Sequence, residues 1–166
     1  MIVIGIDIGL SGALACHGKG LIAVADMPTM QRGDGGATVR YQVNAAGLAE
    51  LLRAWIVGYD KNEVMVVIEK VSAMPRALNG RSQGGASTFS LGLSAGIVEG
   101  VVSAMHLPHE LVPPARWKAA LKVPKGKPAA RALAQRLYPG VNLSRVKDHN
   151  RAEAILIGLY GYRKHA

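Results

Sequence analysis

Two apolar, β-branched runs that each end in a carboxylate constrain this chain more than any other feature. Met1-Ile2-Val3-Ile4-Gly5-Ile6-Asp7-Ile8-Gly9 and Val64-Met65-Val66-Val67-Ile68-Glu69-Lys70-Val71 are apolar on two faces, the pattern of central strands in a sheet covered on both sides. An unpaired charge in such a strand is costly or titrates away. Asp7 and Glu69 on two such strands therefore suggest a shared cation, and hence a metal-dependent site. A hydrogen-bonded core aspartate is the alternative reading of Asp7.

Strands of this kind need a core to lie in. The chain has 166 residues and is 49% hydrophobic, enough for one domain, 1–166, and too short for two ordinary ones. Aromatics make up 5%, so the core should be mainly aliphatic. The one cysteine, Cys16, rules out an internal disulfide and fits a reducing cytoplasm; in a small-residue strand it reads as core filler. No stretch is expected to reach the roughly 18–20 apolar residues that span a bilayer. The apolar start carries Asp7 and lacks a basic leader, which argues against a signal peptide. Lys and Arg number 20 against 11 Asp and Glu, a net charge of +9, with a pI near 10.0. That surplus favours a polyanionic partner, for which nucleic acid is the usual candidate.

Hydrophobic periodicity predicts the order of elements. Residues 2–9, 13–17 and 21–25 read as three strands of an antiparallel meander punctuated by Ser11-Gly12 and Gly18-Lys19-Gly20. Pro28 to Val43 reads as a loop. Asn44 is the expected N-cap of a helix through about Val57, with Leu48, Leu51, Leu52 and Trp55 at helical spacing. The strand 64–71 should run parallel to the first if that helix is a crossover. A glycine-rich loop, 79–85, leads to a long helix from about Ser87 to Met105. That helix carries Gly92, Gly96 and Gly100 at four-residue spacing. These glycines either let a second copy approach closely or pack against the chain's own sheet. A short strand at 110–112 ends at Pro113-Pro114, and helices from about Ala115, Pro128 and Asn150 follow. The fold class is α/β, a mixed five-stranded sheet flanked by helices.

A third acidic cluster, Lys147-Asp148-His149-Asn150-Arg151-Ala152-Glu153, opens the last helix. Asp148 and Glu153 are five residues apart and turn away from each other on one helix. They converge only if Asp148 lies in the loop before it, with Asn150 as N-cap. The plainer reading is a capping box of Asn150 with Glu153, and an Asp148 that favours the helix dipole. On the first strand Asp7 shares its face with Gly5 and Gly9, which should leave bare backbone and room for a metal and a phosphate. Carboxylates that hold divalent metals against an anionic substrate are the design of phosphodiester hydrolysis.

Gly5-Ile6-Asp7-Ile8-Gly9 with Ser11-Gly12-Ala13-Leu14-Ala15, Val67-Ile68-Glu69-Lys70-Val71, and Asp148-His149-Asn150-Arg151-Ala152-Glu153-Ala154 together resemble the RuvC family of Holliday-junction resolvases, most nearly its small phage-type members. The segment Ser90-Leu91-Gly92 through Gly96-Ile97-Val98 is similar to that family's long helix. Pro113-Pro114-Ala115-Arg116-Trp117-Lys118 is similar to its Pro-x-x-x-x-Lys segment. The likeness runs from Met1 to about Tyr162.

It implies an RNase H-like fold, a homodimer, and a hydrolase that cuts a four-way DNA junction by paired nicks in a bacterial or phage-infected cytoplasm. It also implies two Mg²⁺ ions per site, with Mn²⁺ able to substitute. By position, Asp7 and Glu69 match the first two catalytic, metal-binding carboxylates, and Glu153 matches the one on the last helix. Many members place a further acid three residues before that last one, where this chain has Asn150. Asp148 is the nearest substitute and the first choice, with His149 second. The family's aromatic behind the second carboxylate is absent from Lys70-Val71-Ser72-Ala73-Met74-Pro75-Arg76, where Met74 is the one soft candidate wedge.

Arg116, Lys118, Lys122, Lys125, Lys127 and Arg131 gather around Trp117 and resemble the family's DNA-facing loop, with Arg76 and Arg81 a second phosphate-contacting group. An ordinary solvated helix face is the plain alternative. Other functions remain in view: the same chemistry on flaps, forks or RNA–DNA hybrids, or a non-catalytic junction-binding module. An actin-like ATPase shares the Asp7 loop pattern but needs a second half that this length does not hold.

Overall fold

A computed structural model describes residues 1–33, 40–72 and 85–166. The strands are β1 (Ile2–Asp7), β2 (Ala13–His17), β3 (Leu21–Asp26), β4 (Thr29–Arg32), β5 (Arg40–Val43), β6 (Val64–Glu69) and β7 (His109–Val112). The helices are α1 (Ala45–Ile56), α2 (Gly85–Ala104), α3 (Pro114–Ala120), α4 (Lys127–Leu137) and α5 (His149–His165). Five strands form one mixed sheet in the order β3-β2-β1-β6-β7. The meander β1-β2-β3 is antiparallel, whereas β6 and β7 add parallel to β1.

The one departure in element type lies at 28–43. The segment read as a loop contains a two-stranded antiparallel hairpin, β4-β5, pairing Thr29 with Val43 and Arg32 with Arg40. Its strands are only four residues long, too short for a period-two pattern to stand out. Asn44 then caps α1 as expected, its Oδ1 accepting from the Gly47 N–H at 3.1 Å.

Alternation along β1 sorts the core into two layers. Ile2, Ile4 and Ile6 face α1 and α2, packing with Leu48, Leu52, Val98 and Val102. Val3 lies on the opposite face with Val67, Trp117, Ile155, Leu156 and Ile157. Burial of Cys16 pushes its thiol up to about 11, consistent with a packing role. The alternation places Gly5 on the α5 side, and there the expectation of open space fails. A methyl group on Gly5 would overlap the Gly158 backbone nitrogen of α5. The bare strand surface is filled by helix backbone, and α5 sits close on β1 because Gly5 carries no side chain at the contact; a methyl group on Gly158 would instead meet the His17 ring of β2.

Helix α2 also differs from expectation. An 18-residue stretch of this 20-residue helix has a mean hydropathy of 1.3, so by length and composition it is apolar enough to cross a membrane. Only 22% of it is buried. Ser94, Ala95, Val98 and Val102 are buried, while a methyl group added at Gly92, Gly96 or Gly100 would meet nothing within 4 Å among the described residues. Phe89, 60% exposed, lies under the Arg32 guanidinium, 5.6 Å from its ring centroid.

His17, at the end of β2, is 1% exposed, and its Nε2 has no hydrogen-bond partner among the described residues. Its ring meets Tyr138 edge-on at 5.7 Å. Burial pulls its pKa down to about 4, against an opposing hydrogen bond with the Ile155 backbone. Below the ordinary imidazole pKa near 6.5, the unfolded chain takes up a proton that the folded chain refuses. Stability should therefore fall as pH drops from about 6.5 to about 4, by about 3 kcal/mol from this residue. Urea unfolding across that window should show the slope in the wild type and a shallower one in His17→Leu; equal slopes would refute the assignment.

Candidate active site

Parallel pairing of β1 with β6 sets Ile6 against Ile68, so Asp7 and Glu69 follow side by side at the ends of neighbouring strands. Both lie on the α5 face of the sheet, at the carboxyl end where open α/β folds gather their chemistry. Glu153 comes to them from the first turns of α5. Asp7 is 6% exposed. Burial raises its pKa well above the usual carboxylate range, the charges of Glu69 and Glu153 raise it further, and Lys118 opposes them. Glu69 is raised too, first by burial and then by Glu153, against a hydrogen bond from Trp117 and the charge of Lys118. Asp7 and Glu69 are thus disfavoured as charged groups by burial and by the neighbouring carboxylates, the condition that a bound cation relieves.

Helix α3 supplies the other two members. Pro113 and Pro114 start it, and the fixed φ of a proline at the first helical position suits that start. Trp117 is fully buried and donates its Nε1–H to Glu69 Oε1 at 2.9 Å. Lys118 pairs with Glu153 Oε1 at 2.8 Å, with its ammonium 4.9 Å from the centre of the Trp117 ring. Lys118 is thus a partner of the carboxylates themselves, and Trp117, which lies among the basic residues in the sequence, is a core residue.

Asp148 stands apart from this group. Its side chain is 1% exposed. Arg145 engages both of its oxygens: the backbone N–H donates to Oδ2 at 2.8 Å, and Nε and Nη2 donate to Oδ1 at 2.9 and 2.7 Å. The Arg145 hydrogen bonds hold its pKa below the ordinary value. Asn150 is not the N-cap; it lies inside α5, is 8% exposed, and donates from Nδ2 to the Ser11 carbonyl. It ties α5 to the loop that follows Asp7. His149 opens the helix with Nδ1 against the Val146 carbonyl at 2.9 Å.

A cleft of about 830 Å³ opens beside Glu153, with Lys118, Lys125, Arg131 and His149 on its walls and Val123 and Pro124 among its apolar lining. Arg131 Nη1 also donates to the Arg145 carbonyl at 3.1 Å, bracing the cleft against the turn before α5. Arg116 and Lys122 are exposed nearby in sequence. Arg76, Arg81 and Met74 lie outside the described residues, as does the side chain of Lys127.

The donor set suits a hard divalent cation: carboxylate oxygens, that of Asp7 buried and those of Glu69 and Glu153 partly exposed. Among the described residues, no three His, Cys, Asp or Glu side chains stand close enough to enclose an ion as placed. With Glu153 paired to Lys118, the carboxylates would have to close further to share one.

No family model matches the sequence, and comparison with curated proteins finds no match. Solved structures do match. RuvC from T. thermophilus in complex with a Holliday junction substrate superposes with a TM-score of 0.57 at 14% identity, covering 99% of this chain and 97% of the other. A second structure of Thermus thermophilus RuvC gives 0.55 at 13%, covering 99% and 96%. At these identities the likeness speaks of architecture, and it extends over the whole mixed sheet and its flanking helices: this chain has the RNase H-like fold of RuvC.

Proposed function

We propose that this chain is a metal-dependent endonuclease that resolves four-way (Holliday) DNA junctions by paired nicks. The observation that carries the reading is the meeting of Asp7, Glu69 and Glu153 beside a basic cleft, on the fold of a protein solved with such a junction. Asp7, Glu69 and Glu153 would hold Mg²⁺, or Mn²⁺ in its place, with two ions as the full complement. Ions so held acidify a water and stabilise a leaving oxygen.

The chain's own residues do the rest. Burial of Asp7 keeps bulk water from one side of the reacting phosphate. Lys118, Lys125 and Arg131 bind phosphates along the cleft, a salt-sensitive and sequence-independent grip. His149 lines that cleft together with Glu153, whereas both oxygens of Asp148 are taken by Arg145. That placement favours His149 over Asp148 as the fourth member of the site. The products should carry 5′ phosphate and 3′ hydroxyl ends.

Paired nicks require two sites facing two strands, and α2 supports a homodimer. Among the described residues, this apolar helix presents Phe89, Gly92, Gly96 and Gly100 on an exposed face. The open row of Gly92, Gly96 and Gly100 lets a second helix backbone come close.

Three outcomes test the reading. Asp7→Asn should reduce Mg²⁺-dependent cleavage of a four-way junction to background while junction affinity is kept or improved, since a negative charge beside the phosphates is gone. Retained cleavage would remove the metal-site reading, and equal cutting of flaps, linear duplex and RNA–DNA hybrid would remove junction selectivity. Asp148→Asn should lower stability by about 1–3 kcal/mol through its lost pairing with Arg145, with less effect on cleavage than His149→Ala; the opposite ranking on folded protein restores Asp148 as a ligand. Sedimentation should find a dimer at micromolar concentration that Gly96→Trp converts to monomer, and a wild-type monomer with and without DNA would exclude a stable dimer.

A further inference from the structure

Two consecutive side chains of α3 reach two different carboxylates of the site. Trp117 donates to Glu69, and Lys118, with its ammonium over the same indole, pairs with Glu153. An indole has one polar hydrogen and accepts nothing, so a fully buried tryptophan must give that hydrogen to something. The chain has only two tryptophans and a core that is otherwise mainly aliphatic. At position 117 a leucine or phenylalanine could fill apolar volume; neither could donate to Glu69.

Glu69 itself is fixed only at its base. Its Cα is set by the pairing of β6 with its neighbours, while its carboxylate ends a flexible stem among like charges. Repulsion from Glu153 drives such a group away from the place where a cation would need it. The 2.9 Å bond from a rigid, enclosed ring opposes that drift.

We propose that Trp117 is the positioning residue of Glu69: its N–H ties Oε1 and leaves Oε2 to the divalent cation. The inference rests on the metal-site reading above and adds to it a residue that touches neither metal nor DNA. It separates two roles within one buried ring, since the ring fills the core and the N–H orders the carboxylate.

The test replaces Trp117 with 3-benzothienylalanine, which keeps the fused ring and loses only the N–H; Trp117→Phe is the genetically simpler companion. Mg²⁺ binding to the free protein is measured by calorimetry, and cleavage of a four-way junction by steady-state kinetics. The isostere should bind Mg²⁺ about tenfold more weakly, the size expected when a carboxylate loses one donor. Its kcat should fall while KM for the junction stays within about twofold, because Glu69 does not hold the DNA.

A second measurement leaves Trp117 in place. In a Trp55→Phe background, Mg²⁺ should change the emission of Trp117, and Glu69→Gln should abolish that change. Wild-type Mg²⁺ affinity in the isostere, or Trp117 emission indifferent to Mg²⁺, overturns the proposal. Asp7→Asn is the control that separates the two readings. If it loses Mg²⁺ binding while the isostere keeps it, the metal site stands and the role of Trp117 falls. A wild-type protein that binds no Mg²⁺ overturns both.

Discussion

Helix α5 lies against β1 backbone to backbone, where Gly5 faces Gly158, and the candidate site depends on that approach. Glu153 rides on the first turns of α5, five residues before Gly158 and thus about one and a half turns along the helix. The depth at which the helix sits decides whether its carboxylate reaches the level of Asp7. The strand side is fixed independently by the parallel register of β1 and β6. A side chain at either glycine would lift the helix and take Glu153 with it, leaving the two strand carboxylates as a pair. The site is thus specified by a missing side chain at this contact as much as by the acids themselves, a helix–strand spacing set by the smallest residue.

Much of the architecture was legible because it rests on periodicity and punctuation. β1, β6 and the meander show as β-branched runs with glycine turns, and α1 as an Asn44 cap followed by leucines at helical spacing. The hairpin β4-β5 was not legible, its strands being too short to carry a pattern. Asp7 and Glu69 were found by the oddity of charge in apolar strands and Glu153 by the acidic cluster that opens the last helix; in the structure the charges of Glu69 and Glu153 act on Asp7.

Asp148 belongs to the same acidic cluster as Glu153, but its counter-charge, Arg145, sits only three residues earlier. That spacing was present in the sequence and is the signal that the emphasis on metal chemistry passed over. Gly5 was read as room for a ligand, but a bare strand position serves equally as room for a helix, and only the tertiary packing distinguishes the two. Trp117 sat among basic residues in the sequence, and proximity in sequence said nothing of which way the indole faces. The open row on α2 was undecided for the same reason: small residues at four-residue spacing mark a close approach without saying which partner makes it.

The site carries a cation of its own, and on the reading proposed above that has a thermodynamic consequence. The Lys118 ammonium on Glu153 lowers the local repulsion that a divalent ion would otherwise relieve. An ion arriving at Glu153 would therefore work against a tethered amine, which would be released at the wall of the basic cleft. A phosphate that took up the freed ammonium would in turn leave Glu153 open to the ion. Occupancy of either place would then favour occupancy of the other, by equal factors in both directions, as linkage requires. One four-carbon stem would make loading conditional, reluctant alone and readier once the polyanion is at hand.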